Sequence, residues 1–125
     1  MNKKVVLIVR VIFGIMLIAL GSFSFMNLPI PDYPAKAKGF LVAIADTGYM
    51  NYTIGLIFMI VGLMFVSGRY VALGALLLAP IIVNVLLFHI FLDIKSIALG
   101  SVVAVLNIFI AYTECDKYKP LFMSK

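Results

Sequence analysis

Four long apolar segments separated by short polar stretches dominate the pattern of this chain. They cover residues 5–25, 51–67, 71–92 and 97–113. A helix needs about 20 mostly apolar residues to cross a bilayer, within a range of roughly 17 to 25. The pattern therefore predicts an all-α, polytopic membrane protein whose four transmembrane helices make up a single domain over residues 1–125.

The stretch between the first two spans predicts a different element. Three prolines follow the first span and interrupt any helix there. Residues 35–47 then mix apolar side chains with Lys36, Lys38 and Asp46, and this segment is too short and too charged to cross. We predict a short interfacial helix over these residues.

Short connections at residues 68–70 and 93–96 predict that neighbouring spans run antiparallel, as in an up-down-up-down bundle. The side that carries more lysine and arginine is normally cytoplasmic. A cytoplasmic N-terminus places seven basic residues on that side: Lys3, Lys4, Arg10, Arg69, Lys117, Lys119 and Lys125. Three lie opposite: Lys36, Lys38 and Lys95. Both termini are therefore predicted to be cytoplasmic.

Composition narrows the function classes. The chain is 65% hydrophobic and 12% charged, so the lipid bilayer is its expected partner. Its net charge of +5 comes mostly from segment ends, and no basic run interleaved with aromatic residues indicates nucleic-acid binding. One cysteine excludes an internal disulfide or a C-x-x-C pair, and one histidine argues against a metal or haem site within one chain. No motif indicates a catalytic residue.

His89, near the end of the third span, is the strongest candidate for a ligand site. Asp93 follows four residues later on the same helical face and could orient the imidazole. Asn84 lies deeper, about 140° away around an ideal helix. Three further polar residues fall at the His89 level and could complete a pocket in that half of the bundle: Ser22, Tyr49 and Ser101. The alternative is that His89 is an interface residue bonded to Asp93 or water.

The opposite half of the bundle carries a second pair of charges. Arg10 in the first span and Glu114 after the fourth span could form a structural ion pair. Asn107 and Tyr112 belong to that half and are not expected to join the His89 group.

Glycines in the first two spans show a weak internal repeat. Gly14 and Gly21 are seven residues apart, as are Gly55 and Gly62. This spacing places small residues on one helix face and favours close helix packing. A duplicated hairpin is the alternative interpretation. Gly100 and Ala104 allow a similar close contact in the fourth span.

Several of these segments together resemble the DoxX family of small membrane proteins. The resemblance is carried by Gly14 to Gly21, Phe40 to Tyr49, the Gly55 and Gly62 span ending in Gly68-Arg69, the run from Ala79 to His89 that contains Pro80 and Asn84, and the tail Tyr118 to Phe122. It implies a four-helix antiparallel bundle in a bacterial cytoplasmic membrane. Relatives are linked to thiosulfate:quinone oxidation, to complexes that defend against thiol oxidation and, in animals, to receptor assembly.

Two hypotheses follow. The first is an accessory or assembly subunit of a larger membrane complex, or a homo-oligomer. The second is a membrane subunit of an oxidoreductase that binds a quinone or a lipid in the pocket around His89. A small transporter ranks last, because a single asparagine near the midplane does not make a water-accessible path.

Overall fold

The computed structural model describes residues 2–26 and 29–124, so Lys125, one of the basic residues counted above, lies outside it. Within the described residues, six α-helices follow one another: α1 Lys3–Phe23, α2 Ala35–Asp46, α3 Met50–Ser67, α4 Val71–Phe91, α5 Ile97–Thr113 and α6 Cys115–Tyr118. Short 3₁₀ turns at Ile94–Ser96 and Lys119–Phe122 precede α5 and follow α6. Four stretches are long and apolar enough to cross a membrane: Lys3–Phe23, Met50–Ser67, Val71–Phe91 and Ile94–Thr113. The prediction of a helical protein with four segments able to span a membrane is confirmed.

Local chemistry explains where the helices begin and end. The Asn2 side chain accepts a hydrogen bond from the Lys4 amide at 2.9 Å and caps the start of α1. Gly68 ends α3 with a φ of 76°, a left-handed conformation that suits glycine. Tyr70 also has a positive φ, of 57°, just before α4 begins. Two left-handed residues thus reverse the chain between α3 and α4 within three positions.

Residues 35–46 form a helix, α2, as the sequence predicted. Ala37 is its only buried residue. Its Phe40 ring lies 5.5 Å from the ring of Phe88 on α4, measured between centroids. The helix therefore rests on the bundle through a narrow contact and leaves most of its surface exposed.

The four glycines of α1 and α3 meet across the contact between these two helices. A Cβ atom on Gly14 would lie 2.7 Å from the carbonyl oxygen of Gly62, and one on Gly21 would lie 2.5 Å from that of Gly55. No side chain fits at such distances, so the two backbones pack directly against each other. The predicted close packing of these glycines is confirmed, and each glycine of α1 has its counterpart on α3.

The core lies between two helix pairs. α1 packs on α3 and α4 packs on α5, while α3–α4 and α1–α5 contacts join the pairs. The largest fully buried side chains are Phe13, Phe65, Leu17, Leu78, Ile110 and Val61. The rings of Phe13 and Phe65 lie 5.5 Å apart beside the glycine contact. Two large rings therefore pack in the core beside the place where α1 and α3 approach most closely.

Candidate functional site

His89 lies in the last turn of α4, where the helix stops. Its Nδ1 lies 3.3 Å from the backbone carbonyl oxygen of Asp93. A carbonyl only accepts, so this bond places the imidazole proton on Nδ1 and leaves Nε2 as an acceptor in the neutral ring. The predicted contact between His89 and Asp93 is therefore present, but the backbone of Asp93 makes it and the carboxylate does not.

The far edge of the imidazole packs on α5 at Gly100. A Cβ atom on Gly100 would lie 2.8 Å from Cδ2 of His89 and 3.3 Å from its Nε2. Glycine at this position thus provides the space that the ring occupies. Ser101, the next residue, is half-buried.

Asp93 is the buried acid of this end of the bundle. Only 5% of its surface is exposed, because its amide donates to the carbonyl oxygens of Phe88 and His89 and draws the residue against the end of α4. Its Oδ2 atom is buried and has no hydrogen-bond partner among residues 2–26 and 29–124. A buried, unpartnered carboxylate oxygen is costly and invites a donor.

Aromatic rings cover the same end. Phe88 contacts Tyr33 edge-on at 6.1 Å, Phe40 at 5.5 Å and the His89 ring edge-on at 5.2 Å, measured between centroids. These contacts tie the segment before α2, and α2 itself, to the end of α4. An open cavity of about 550 Å³ adjoins them, and its walls are Pro31, Asp32, Tyr33, Pro34, Asp93, Lys95 and Ser96.

No hydrogen bond in the described part of the chain joins His89 to the remaining predicted site residues. Asn84 is exposed on the outside of α4. The Ser22 hydroxyl donates to the Ala19 carbonyl at 2.7 Å within its own helix, and Tyr49 is 60% exposed. The structure thus brings together His89, the backbone of Asp93 and the Gly100 position of α5.

Arg10 and Glu114 line one cavity but hold different partners. Nε of Arg10 donates at 2.9 Å to the carbonyl oxygen of Phe65, in the last turn of α3, where carbonyls lack helical donors. The Glu114 carboxylate lies 2.6 Å from Nζ of Lys117. The predicted Arg10–Glu114 ion pair is thus not formed within the described chain.

The cavity that these two residues share is the larger of the two, at about 610 Å³. Its walls are Lys3, Val6, Leu7, Arg10, Tyr112, Thr113, Glu114 and Cys115. Basic groups and apolar side chains from α1 face it together. The lining also includes the Glu114 carboxylate, so groups of both charges border this cavity.

Asn107 is the buried polar residue that the sequence analysis did not assign to a site. It is 5% exposed, and its Nδ2 donates at 3.2 Å to the carbonyl oxygen of Ala75 on α4. Its Oδ1 is buried without a partner in the described part of the chain. The sequence did contain a signal that Asn107 lies in a helix contact, because it continues the stripe of small residues at Gly100 and Ala104.

Tyr118 makes a second polar contact with α4. Its hydroxyl donates at 2.7 Å to the Ala72 carbonyl and holds α6 against the bundle. Burial and, to a smaller extent, the nearby Glu114 charge raise the pKa of Tyr118 above its ordinary value of 10.0. The neutral phenol is therefore the form that the fold favours.

The described residues contain no group of three or more His, Cys, Asp or Glu side chains placed to hold a metal ion. Together, the long apolar helices and the polar contacts between them define a helical protein of multi-pass type. Comparison of the chain with family models, with curated proteins and with solved structures finds no match.

Proposed function

We propose that this chain is a DoxX-like protein of the bacterial cytoplasmic membrane that acts as a non-catalytic accessory or assembly subunit of a larger membrane complex. Its four spans form an antiparallel bundle with both termini in the cytoplasm, and α2 lies in the opposite interface. The charge bias of the sequence supports this orientation. The order of contacts supports the antiparallel arrangement, since Gly14 meets Gly62 while Gly21 meets Gly55.

The observation that carries the proposal is how the polar side chains are used. Arg10, Asn107 and Tyr118 each donate to a backbone carbonyl of another helix. Such bonds hold helices together in a membrane, where a polar group without a partner is costly. The polar groups of this chain thus stabilise a scaffold, which is the property an accessory subunit needs.

Native mass spectrometry of the complex extracted from its host membranes in mild detergent tests this proposal. The expected species contains the 13.8 kDa chain together with at least one different membrane protein in a fixed ratio. Recovery of the chain alone, with a small lipid-soluble molecule bound, would contradict it.

A second candidate function is the binding of a quinone or another lipid-soluble ligand beside His89. The observation that favours it is the Oδ2 atom of Asp93, which is buried without a hydrogen-bond partner in the described residues, near the end of α4 where the His89 ring meets Phe88 edge-on. His89→Ala is expected to abolish quenching of tyrosine fluorescence by a short-chain quinone in detergent. Val105→Ala is the matched control, because Val105 is 64% exposed on α5 and lies outside this cluster. Equal quenching of both variants and the natural chain would exclude the idea.

A further inference from the structure

Asn84 carries a polar side chain on the outside of a membrane span. It is exposed and lies three residues beyond the centre of α4, which places it only about 4.5 Å from the middle of the helix. The hydrocarbon core extends about 15 Å to each side of its midplane. The amide is therefore well inside the apolar layer and too short to reach water.

The Asn84 amide makes no hydrogen bond within residues 2–26 and 29–124. Asn107 on α5 shows how the chain treats the same group elsewhere, since that amide is buried and donates to the Ala75 carbonyl. Hydrocarbon offers Asn84 neither donor nor acceptor, so the side chain gains by meeting another polar group in the membrane.

The residues around Asn84 form a continuous exposed seam along α4. We define this α4 seam as Leu73, Leu77, Pro80, Asn84, Leu87 and Phe91, all of them exposed. Their spacing alternates between four and three residues, which is the repeat that keeps one helix face against another in a left-handed pair. Asn84 lies in the second half of the seam, with apolar residues before and after it.

The exposed face of α5 provides a contrast within the same molecule. Leu99, Val102, Val105 and Ile108 are exposed at intervals of three residues, and all four are apolar. A face of this kind is suited to lipid alone. The α4 seam differs from it by one amide, and that amide is what requires an explanation.

We infer that the α4 seam binds the α4 seam of a second copy of this chain, with the two Asn84 amides hydrogen-bonded to each other. Asparagine carries both donors and an acceptor, so two identical side chains satisfy one another across a twofold axis. Copies of one chain insert in the same orientation. Their α4 helices therefore run parallel, and a twofold axis along the membrane normal brings each seam residue opposite its own counterpart.

Cysteine crosslinking in membranes tests the contact directly. Cys115 is the only cysteine of the sequence and is exposed, so Cys115→Ser gives a cysteine-free background. In that background, oxidation of Leu87→Cys is expected to give a crosslinked dimer of the chain. Val102→Cys, on the outward face of α5, is the matched control and is expected to stay monomeric.

The role of the amide is measured by energy transfer between labelled copies in mixed micelles. Asn84→Val is expected to weaken self-association roughly 3- to 30-fold, the range reported for interhelical hydrogen bonds in membranes. Asn84→Gln retains an amide and is expected to recover part of the loss. Helix content by circular dichroism should be unchanged in both, because the residue contacts no other part of its own bundle through a hydrogen bond.

Two results would overturn the inference: equal crosslinking at positions 87 and 102, or self-association that does not respond to Asn84→Val. A crosslink from position 87 to a different protein would also overturn it, while supporting the proposed accessory function. Conversely, a species with two copies of this chain and nothing else in native mass spectrometry would support the dimer and contradict the accessory function.

Discussion

The contact between α1 and α3 and the contact between α4 and α5 join the helices by different chemistry. In the first, glycines face glycines and the backbones touch, while Arg10 bonds to the Phe65 carbonyl oxygen and the Ser24 side chain lies beside Gly55. In the second, an asparagine and a histidine enter the contact, and glycine occurs once, beneath the histidine ring. Lipid does not drive apolar helices together as water does, so a membrane protein needs close packing or polar bonds. In this chain, direct backbone contact distinguishes the first pair, and polar side chains packed between the helices distinguish the second.

The glycine contact is expected to be the less tolerant of the two. Gly62→Ala places a methyl group 2.6 Å from the Gly14 carbonyl oxygen, and backbone cannot move aside as a side chain can. We expect a loss of about 1–3 kcal/mol in the free energy of unfolding, and a larger loss for Gly62→Leu. Denaturation by sodium dodecyl sulfate in mixed micelles, followed by circular dichroism, measures it.

Gly39→Ala in α2 is the matched control for that change. No atom lies within 4 Å of its would-be Cβ, so alanine is expected to be neutral or to stabilise α2 by up to about 1 kcal/mol. Equal effects at positions 39 and 62 would show that the α1–α3 contact does not depend on close approach.

The polar contact is expected to depend on shape as well as on its hydrogen bond. Asn107→Ala removes the bond to Ala75 and leaves a cavity, with an expected loss of about 1–3 kcal/mol. Asn107→Leu fills the space and also removes the unpartnered Oδ1, so its expected loss is below about 1 kcal/mol. The same unfolding measurement compares the two variants, and a larger loss for leucine would contradict this account.

The His89–Gly100 contact provides a finer test of the same helix pair. Gly100→Ala is expected to cost about 1 kcal/mol, because the new methyl group displaces the imidazole from its place beside α5. In a His89→Ala background most of the cost should disappear, since no ring remains to be displaced and only the looser contact with Val85 Cγ1, at 3.3 Å, is left of those at Gly100. A double-mutant cycle measures the coupling. Additive losses would indicate that Gly100 is required for another reason.

A similarly small effect is expected at the contact of α6 with α4. Tyr118→Phe removes one hydrogen bond to Ala72, worth about 0.5–1.5 kcal/mol. Because the folded chain raises the pKa of Tyr118, its contribution is fully present below pH 10 and is lost as the pH rises through the higher folded-state pKa. The protection of the α6 amides against hydrogen exchange, relative to their base-catalysed intrinsic rates, should fall between pH 8 and 11 in the natural chain, and Tyr118→Phe should remove that fall.

The spans could be predicted from the sequence because length and hydropathy are local properties. The glycine spacing also predicted close packing, although which glycine meets which depends on how α1 and α3 are paired in space. The side on which Asn84 lies could not be predicted, since α4 is apolar around nearly its whole circumference and the pattern indicates no preferred inner face.

The hydrogen-bond and ion-pair partners of the charged residues were harder to predict from the sequence. Opposite charges at one end of a bundle predict an ion pair, yet Arg10 bonds to a backbone carbonyl near the end of α3 and Glu114 to Lys117. Both partners become available only when the helix ends are placed, which the sequence pattern does not describe. Asn107 could have been recognised, because it continues the stripe that begins at Gly100 and Ala104.

The pairing of α1 with α3 has a consequence for biogenesis. A ribosome releases α1 first, and its partner emerges only after the proline-containing stretch and α2 have been made. Until then the grooves at Gly14 and Gly21 are filled by acyl chains, which must leave when α3 arrives. When this protein assembles, the backbone of α3 therefore replaces lipid on the surface of α1. The length of chain between the two glycine pairs sets how long α1 waits for α3.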